Sequence, residues 1–338
     1  MIEARLGLSY QIQIAASDIA FECGGDETVL DAAERAGYAL PYSCRKGVCA
    51  TCEGGLAAGH GVSSVQGLIE APAERVLLCC MRPASNLTIA PRKIEKREPM
   101  PRKTLDATVL RITQPADDVS VLQLRFAAGV RAKFRAGQYL QVHLDAENRR
   151  NYSMANPPHQ NDGVQLHVRH VPGGRFSDAR LKELAAGQKL RLELPFGEFF
   201  FRDDSNKPAL LLATGTGFAP LKSIVEDAIK RKLPRPLYLY WGARRLQDLY
   251  LDELPAKWAE AGALRYVPVL SEADDGWSGR RGFVHEAVLE DHPSLADFQV
   301  YACGNPSMTA AARAGCIAAG LPEDEFFSDA FVPTDLQP

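Results

Sequence analysis

The chain has 338 residues, 46% of them hydrophobic and 24% charged, with a formal net charge of −3. That is the composition of a soluble globular protein with two or three domains, each able to bury a core. The near-neutral charge argues against a nucleic-acid binder. No run approaches the ~20 apolar residues of a membrane span, and residues 1–17 lack a secretory signal, so a cytoplasmic protein is expected.

In chain order, residues 10–22 read as two short strands around a turn near Ser17-Asp18. Glu27 to Ala36 reads as a helix, because Val29, Leu30, Ala33 and Ala36 share a face and Gly37 follows as a stop. A cysteine-rich loop, a strand through Val76–Leu78 and a strand Leu87–Ala90 complete a first domain over residues 1–95. It carries a surplus of Asp and Glu that would help steer a basic protein partner, although ordinary solvated surface gives the same surplus. Pro91 to Lys103, with three Pro and six Lys or Arg, reads as a linker.

Eight cysteines stand at 23, 44, 49, 52, 79, 80, 303 and 316. Cys44, Cys49 and Cys52 share one loop, and in a reducing compartment such a group points to metal or redox chemistry rather than disulfides. Gaps of four, then two, then a distant fourth Cys follow the plant-type [2Fe-2S] pattern. Small residues at Gly47, Ala50 and Thr51 let the loop curl so that backbone N–H groups reach the sulfurs. The alternative, structural zinc, usually takes its Cys in two short doublets. Cys79 and Cys80 compete for the fourth place. The run Leu78-Cys79-Cys80-Met81-Arg82-Pro83 resembles the ferredoxin pattern, whose ligand stands four residues before a proline. The resemblance implies a β-grasp domain with Cys79 as ligand, Cys80 then pointing to the other face of its strand. Cys23 and Cys316 read as small buried residues.

Residues 104–204 alternate. Strands are predicted at Thr104–Thr113, Val119–Phe126, Gln138–Leu144, Asn151–Ala155, Val164–Val171 and Gln188–Leu194, with one helix at Ser177–Ala186. Six strands with short turns suggest a closed antiparallel barrel. Arg150-Asn151-Tyr152-Ser153 lies on one strand, and Val171-Pro172-Gly173-Gly174-Arg175-Phe176-Ser177 opens the helix. An arginine fork suits pyrophosphate. Glycines admit it to the backbone, and a helix N-terminus capped by Ser177 offers N–H groups to it. Alone, Tyr152 reads as a core aromatic and Gly173-Gly174 as a hairpin turn. Together, in this order, these segments resemble the ferredoxin–NADP reductase superfamily. The resemblance implies FAD, with Arg150, Gly173, Gly174 and Ser177 at its pyrophosphate and Tyr152 and Ser153 at the isoalloxazine. Val168 would line the site through its backbone.

Residues 205–338 alternate strands and helices, the signature of a parallel α/β domain. The buried run Ala209–Ala213 leads into Thr214-Gly215-Thr216-Gly217-Phe218-Ala219-Pro220 and a helix to about Lys230. The glycines permit a tight turn and close phosphate approach, and Pro220 suits a first helical turn. Further strands are predicted at Leu237–Trp241, Leu264–Leu270 and Phe298–Cys303. The same superfamily resemblance implies a nicotinamide site at Gly215, Thr216, Gly217 and Pro220, an adenosine site at Gly242 and Arg244, and Cys303-Gly304 beside the nicotinamide. Without it, Cys303 reads as an inert core thiol. The resemblance also implies a late aromatic over the flavin. Phe331 fits best, with Phe326 and Phe327 as alternatives, although the chain runs seven residues past Phe331, unlike members that end on the aromatic. Arg244 and Arg245 could hold a ribose phosphate, which favours NADPH. Members with a similar Trp-Gly-Ala-Arg segment are mostly NADH users, and NADH is expected.

The whole is read as a multidomain α+β and α/β protein: β-grasp, six-stranded flavin barrel, parallel nicotinamide domain. In this order it is similar to reductase components of bacterial aromatic-ring-hydroxylating dioxygenases, in particular the terephthalate dioxygenase type, through Leu40–Gly47, Tyr152–Pro158 and Leu166–Ser177. The resemblance implies electron flow from NADH to FAD to [2Fe-2S] to a terminal oxygenase on another polypeptide, of the Rieske-type non-haem iron class. Catalytic positions would be Ser153, Cys303 and Phe331. The rival acceptors are a multicomponent monooxygenase and a deoxysugar-forming enzyme. A redox-sensing flavoprotein, not an enzyme, would use the same cofactors as a switch.

Overall fold

The computed structural model describes residues 7–97 and 100–332, which form two compact units. In the first, a mixed sheet runs in the order Ala20–Gly24, Ser9–Ile14, Leu87–Pro91, Glu53–Ala58, Ala73–Leu77. Ser9–Ile14 pairs antiparallel with Ala20–Gly24 and parallel with Leu87–Pro91. Their turn is tied by Gln13, whose amide donates to the Ser17 carbonyl at 2.6 Å. Helix Val29–Arg35 starts where the Thr28 hydroxyl accepts the Asp31 N–H at 3.1 Å, and it stops at Gly37, φ +82°. It buries Val29, Leu30, Ala32 and Ala33 in one core with Ile12, Phe21, Leu56, Val76 and Ile89. A helix laid across a mixed sheet is the β-grasp expected from the sequence.

Two features of this unit differ from the sequence reading. A second sheet, Gly67–Glu70, His60–Ser63, Met81–Pro83, lies where no strands were predicted. It depends on close backbones rather than on alternating apolar side chains, since a Cβ on Gly61 would stand 2.5 Å from the Arg82 carbonyl oxygen. The segment read as a linker is also partly structural: Pro91 ends a strand, Glu95–Lys96 pairs antiparallel with Tyr38–Ala39, and Lys103 begins the next unit's first strand.

The second unit opens with a six-stranded antiparallel sheet ordered Arg149–Ser153, Tyr139–His143, Lys189–Phe196, Lys103–Ala116, Val119–Phe126, Gly163–Arg169. An antiparallel bridge between Met154 and Leu166 joins its two outer strands and closes the barrel. Leu122, Leu124, Leu140, Val142, Leu166, Val168 and Leu192 fill the interior.

A parallel sheet follows, ordered Arg280–Arg281, Arg265–Leu270, Leu237–Ala243, Ala209–Thr214, Gln299–Gly304, Phe326–Ala330. The chain builds outward from Ala209–Thr214 in one direction and then returns to its other side. The C-terminal ends of Ala209–Thr214 and Gln299–Gly304 therefore flank a topological switch point, where α/β sheets bind ligands. Helix Phe218–Arg231 packs against this sheet.

Barrel and sheet share a core. Val119, Ala136, Phe199 and Phe201 cluster with Leu211, Phe218, Trp241 and Tyr301. Lys222, on the helix, donates to the Ala155 carbonyl at 3.1 Å, and Ser223 donates to the Asn156 carbonyl at 2.8 Å. His167 leaves the barrel strand on its outer face and shares a 2.8 Å hydrogen bond through Nδ1 with the Tyr250 hydroxyl. Its Nε2 is buried with no partner among the described residues.

Burial, reinforced by Lys222, pushes the His167 imidazole down to about 3. The unfolded chain would protonate near 6.5, so stability is full above that value and falls as pH drops toward 3. Between pH 7 and 5 the loss should be about 2 kcal/mol from this one group. His167→Gln should flatten that decline in urea unfolding followed by the three tryptophans, all of which lie in this unit. An unchanged pH slope would acquit His167.

Candidate functional site

The cysteine loop, 44–52, owes its curl to left-handed backbone at Arg45, Gly47 and Ala50, φ +52°, +70° and +54°. It is anchored by Arg45, which pairs with Asp31 and, at 2.7 Å, with Glu34 of the preceding helix, while its guanidinium covers the Tyr42 ring at 4.3 Å. The thiols meet in pairs. The Cys49 thiol donates to Cys44, and the backbone N–H groups of Cys49, Lys46 and Val48 aim at the same sulfur; together they hold the Cys44 thiol down to about 5. Cys52 and Cys79 bring their sulfurs to 3.1 Å. Two pairs of convergent sulfurs, the first of them met by backbone N–H groups, suit two irons, each needing two thiolates. Val48 is 49% exposed, so the loop lies at the unit's surface.

One expectation fails here. Cys79 and Cys80 do not occupy a strand and do not point to opposite faces. They sit in the turn between Ala73–Leu77 and Met81–Pro83, with sulfurs 3.5 Å apart. Alternation of faces belongs to extended backbone, and the turn abolishes it.

On the barrel, Arg150 and Tyr152 leave strand Arg149–Ser153 on one face and Ser153 on the other. The Tyr152 ring packs on Phe176, centroids 5.2 Å apart, which draws the arginine strand to the glycine turn. Burial pushes the Tyr152 phenol up, and nearby Arg150 opposes that push. Gly173 has φ +74°. The helix that follows differs from expectation. It is a wide π-type turn, Arg175–Arg180, continued by Leu181–Glu183, and its cap is Gly174 rather than Ser177. Ser177 instead folds back beneath the glycine, where a Cβ on Gly174 would stand 2.4 Å from its hydroxyl. Among the described residues only the Met154–Leu166 bridge joins strands Arg149–Ser153 and Gly163–Arg169, so Arg150, Tyr152 and the Val168 backbone lie along the seam where the barrel closes. A seam that sets an arginine and an aromatic ring on one face of a strand, beside the glycine turn, fits a flavin dinucleotide.

At the switch point, Thr214 leads into the turn Gly215–Gly217 and helix Phe218–Arg231, with Thr216 and Pro220 buried. The two glycines act differently. Gly215 has φ +53° and lies under the Arg169 guanidinium, which a Cβ would meet at 2.8 Å. Gly217 serves packing, because its Cβ would stand 2.1 Å from the Cys303 carbonyl oxygen. Gly304, φ +128°, interlocks likewise with Thr214 at 2.4 Å. Trp241 is buried beneath this turn, stacked on Phe218 at 4.0 Å, and donates to the Gly215 carbonyl at 3.1 Å. Gly242 abuts Val284, and Arg244 is exposed at the strand's end.

Cys303 is fully buried, and burial first, then Asp329, raises its thiol well above the ordinary value. It is a neutral group. Asp329 faces it across paired strands and accepts from the Ser153 hydroxyl at 3.4 Å. Ser153, Cys303 and Asp329 thus converge where barrel meets sheet. Phe331 follows, its N–H on the Gly304 carbonyl at 2.8 Å. The sequence reading missed Asp329 and Arg169. Counting back two residues along the strand from Phe331 would have found the first; nothing local marks the second.

Comparison with known proteins agrees with these three regions. Residues 12–84 match the 2Fe-2S iron-sulfur cluster binding domain, 106–201 the oxidoreductase FAD-binding domain and 211–314 the oxidoreductase NAD-binding domain. The chain is 43% identical to terephthalate 1,2-dioxygenase, reductase component 1, of Comamonas sp. over 333 residues, covering 96% of this chain and 98% of that one. It is 38% identical to a CDP-6-deoxy-L-threo-D-glycero-4-hexulose-3-dehydrase reductase of Yersinia pseudotuberculosis, over 97% of this chain and all of the other. Among solved structures it resembles the Amycolatopsis cytochrome P450 reductase GcoB, with TM-score 0.75 and 30% identity, covering 96% and 99% of the two chains. The protein uses FAD, NADH and a [2Fe-2S] cluster.

Were a nicotinamide held at this junction, the buried Asp329 carboxylate would favour the positive charge that the ring gains on giving up hydride. Asp329→Asn keeps shape and removes charge. It should lower kcat for NADH-dependent ferricyanide reduction about tenfold to a hundredfold with FAD content unchanged; an unaltered kcat would remove Asp329 from the chemistry.

Proposed function

Because this chain belongs to the family of iron–sulfur flavoprotein reductases that includes the reductase components of dioxygenases, we propose that it carries electrons from NADH to a separate aromatic-ring-hydroxylating oxygenase of the terephthalate type. The observation that carries this reading is the likeness to the Comamonas reductase component along nearly the full length of both chains. When bound, the cofactors supply the relay: NADH gives two electrons together, FAD accepts both, and the cluster passes them on singly.

We assign residues 1–95 to the cluster, 104–204 to FAD and 205–338 to NADH. Cys44, Cys49, Cys52 and Cys79 hold the irons. Arg150, Gly173, Gly174 and Ser177 hold the FAD pyrophosphate. Tyr152, Ser153, Val168 and Phe331 border the flavin. Gly215, Thr216, Gly217, Pro220, Gly242, Arg244, Cys303 and Gly304 form the nicotinamide-dinucleotide site. Within it, the neutral Cys303 thiol, the Ser153 hydroxyl and the Asp329 carboxylate, all buried, would orient the ring. Arg245 faces Glu272 at 3.8 Å, and an acidic group at the adenosine end favours a ribose hydroxyl over a phosphate.

The acceptor is assigned to the Rieske-type non-haem iron class, because a thiolate cluster delivers one electron at a time and suits a one-electron acceptor. We place the protein in a reducing cytoplasm, where the cysteines of such a cluster loop stay available to iron rather than pairing as disulfides. Among the described residues no helix is long and apolar enough to cross a membrane.

The test is reconstitution. The reduced protein should drive substrate-dependent oxygen uptake with a purified terephthalate-type dioxygenase; turnover only with a monooxygenase or a deoxysugar dehydrase would reassign the acceptor. Cys49→Ser should abolish cytochrome c reduction while NADH still bleaches the flavin, and full cytochrome c activity would contradict the electron order. NADH should give a kcat/KM at least about tenfold above NADPH; the reverse ratio would overturn the NADH assignment.

A further inference from the structure

Five thiols gather at the cysteine loop, one more than a [2Fe-2S] cluster needs. The fifth is Cys80. The turn that carries it is closed by its own N–H on the Leu77 carbonyl at 2.9 Å. This turn sends the side chains of Cys79 and Cys80 the same way, and their sulfurs lie 3.5 Å apart. A χ1 change of one cysteine largely covers that gap. The Cys80 thiol is buried and lies against the loop that bears the other ligands: a Cβ on Gly47 would stand 3.0 Å from its sulfur. Beside it, Cys79 reaches Cys52 at 3.1 Å. A second sulfur therefore waits next to the remote ligand, already buried and already against the ligand loop.

We propose that Cys80 is a reserve ligand, whose sulfur replaces that of Cys79 on the iron shared with Cys52 when the Cys79 sulfur is removed. This rests on the reading of Cys79 as the fourth ligand. The exchange is balanced. The bond to residue 79 is not made, a bond to the Cys80 sulfur is, the Cys80 thiol releases its proton to solvent, and no electron is transferred.

The full-length variants Cys79→Ala, Cys80→Ala and the double variant are reconstituted anaerobically with ferrous iron and sulfide. Iron and acid-labile sulfide per chain are measured, with the EPR spectrum of the reduced protein. Cys80→Ala should load fully with an unchanged spectrum. Cys79→Ala should also load, with shifted g-values, and the double variant should hold about a tenth of the iron or less. A Cys79→Ala chain as empty as the double, beside a full Cys80→Ala, overturns the reserve role and leaves Cys79 as ligand. An empty Cys80→Ala beside a full Cys79→Ala overturns the reading of Cys79 itself, and a loaded double variant overturns both. Should the alanine variant fail to fold, the nearly isosteric Cys79→Ser decides. An all-sulfur spectrum supports Cys80, whereas an oxygen-ligated spectrum or an empty site overturns it.

Discussion

The reductase unit is organised around a close approach of backbones. Gly217 lies so near the Cys303 carbonyl, and Gly304 so near Thr214, that neither position admits a side chain. This interlock brings the ends of two adjacent parallel strands together at the place where the sheet's strand order reverses. The neighbouring elements are arranged from there. The turn Gly215–Gly217 opens the long helix, Trp241 supports it from below, and Cys303 is sealed from water. A single Cβ would separate the strands by more than packing tolerates.

The barrel is coupled to this point by its outer face. Alternation along strand Gly163–Arg169 puts Val168 into the barrel core and turns His167 and Arg169 toward the nucleotide half. The same rule on strand Arg149–Ser153 sends Tyr152 toward the glycine turn and Ser153 toward Asp329. One period of two therefore serves both the glycine turn and the Asp329 junction. Its price is a set of buried polar groups, His167 with its unpartnered Nε2 among them, whose neutrality the low dielectric enforces.

The cysteine loop reaches the same precision by other means. Three left-handed residues coil the chain tightly enough for N–H groups to face Cys44, and Arg45 fixes the coil to the helix through Asp31 and Glu34. Val48 stays exposed at the tip, which leaves the loop accessible from solvent.

The sequence by itself determined the modules, their order and the cofactors they take. Cysteine spacing, the Arg-x-Tyr-Ser strand, the two glycine turns and the Cys303-Gly304 pair are local signals, because each encodes a turn or a ligand set within a few residues. The helix after Thr28, the six barrel strands and the buried run before Gly215 were legible for the same reason: their periodicity is written in consecutive residues. What only the tertiary structure decided are contacts between distant segments. The sheet of His60–Ser63 rests on glycine-lined backbone contact, which leaves no hydrophobic pattern. Ser177 was misread as a cap because its place depends on the missing Cβ of Gly174. Asp329 reaches Ser153 only through folding of residues far apart in the chain. The common side of Cys79 and Cys80 follows from a turn that alternation cannot foresee. Spacing along a chain fixes which groups are available, and only packing fixes which of them meet.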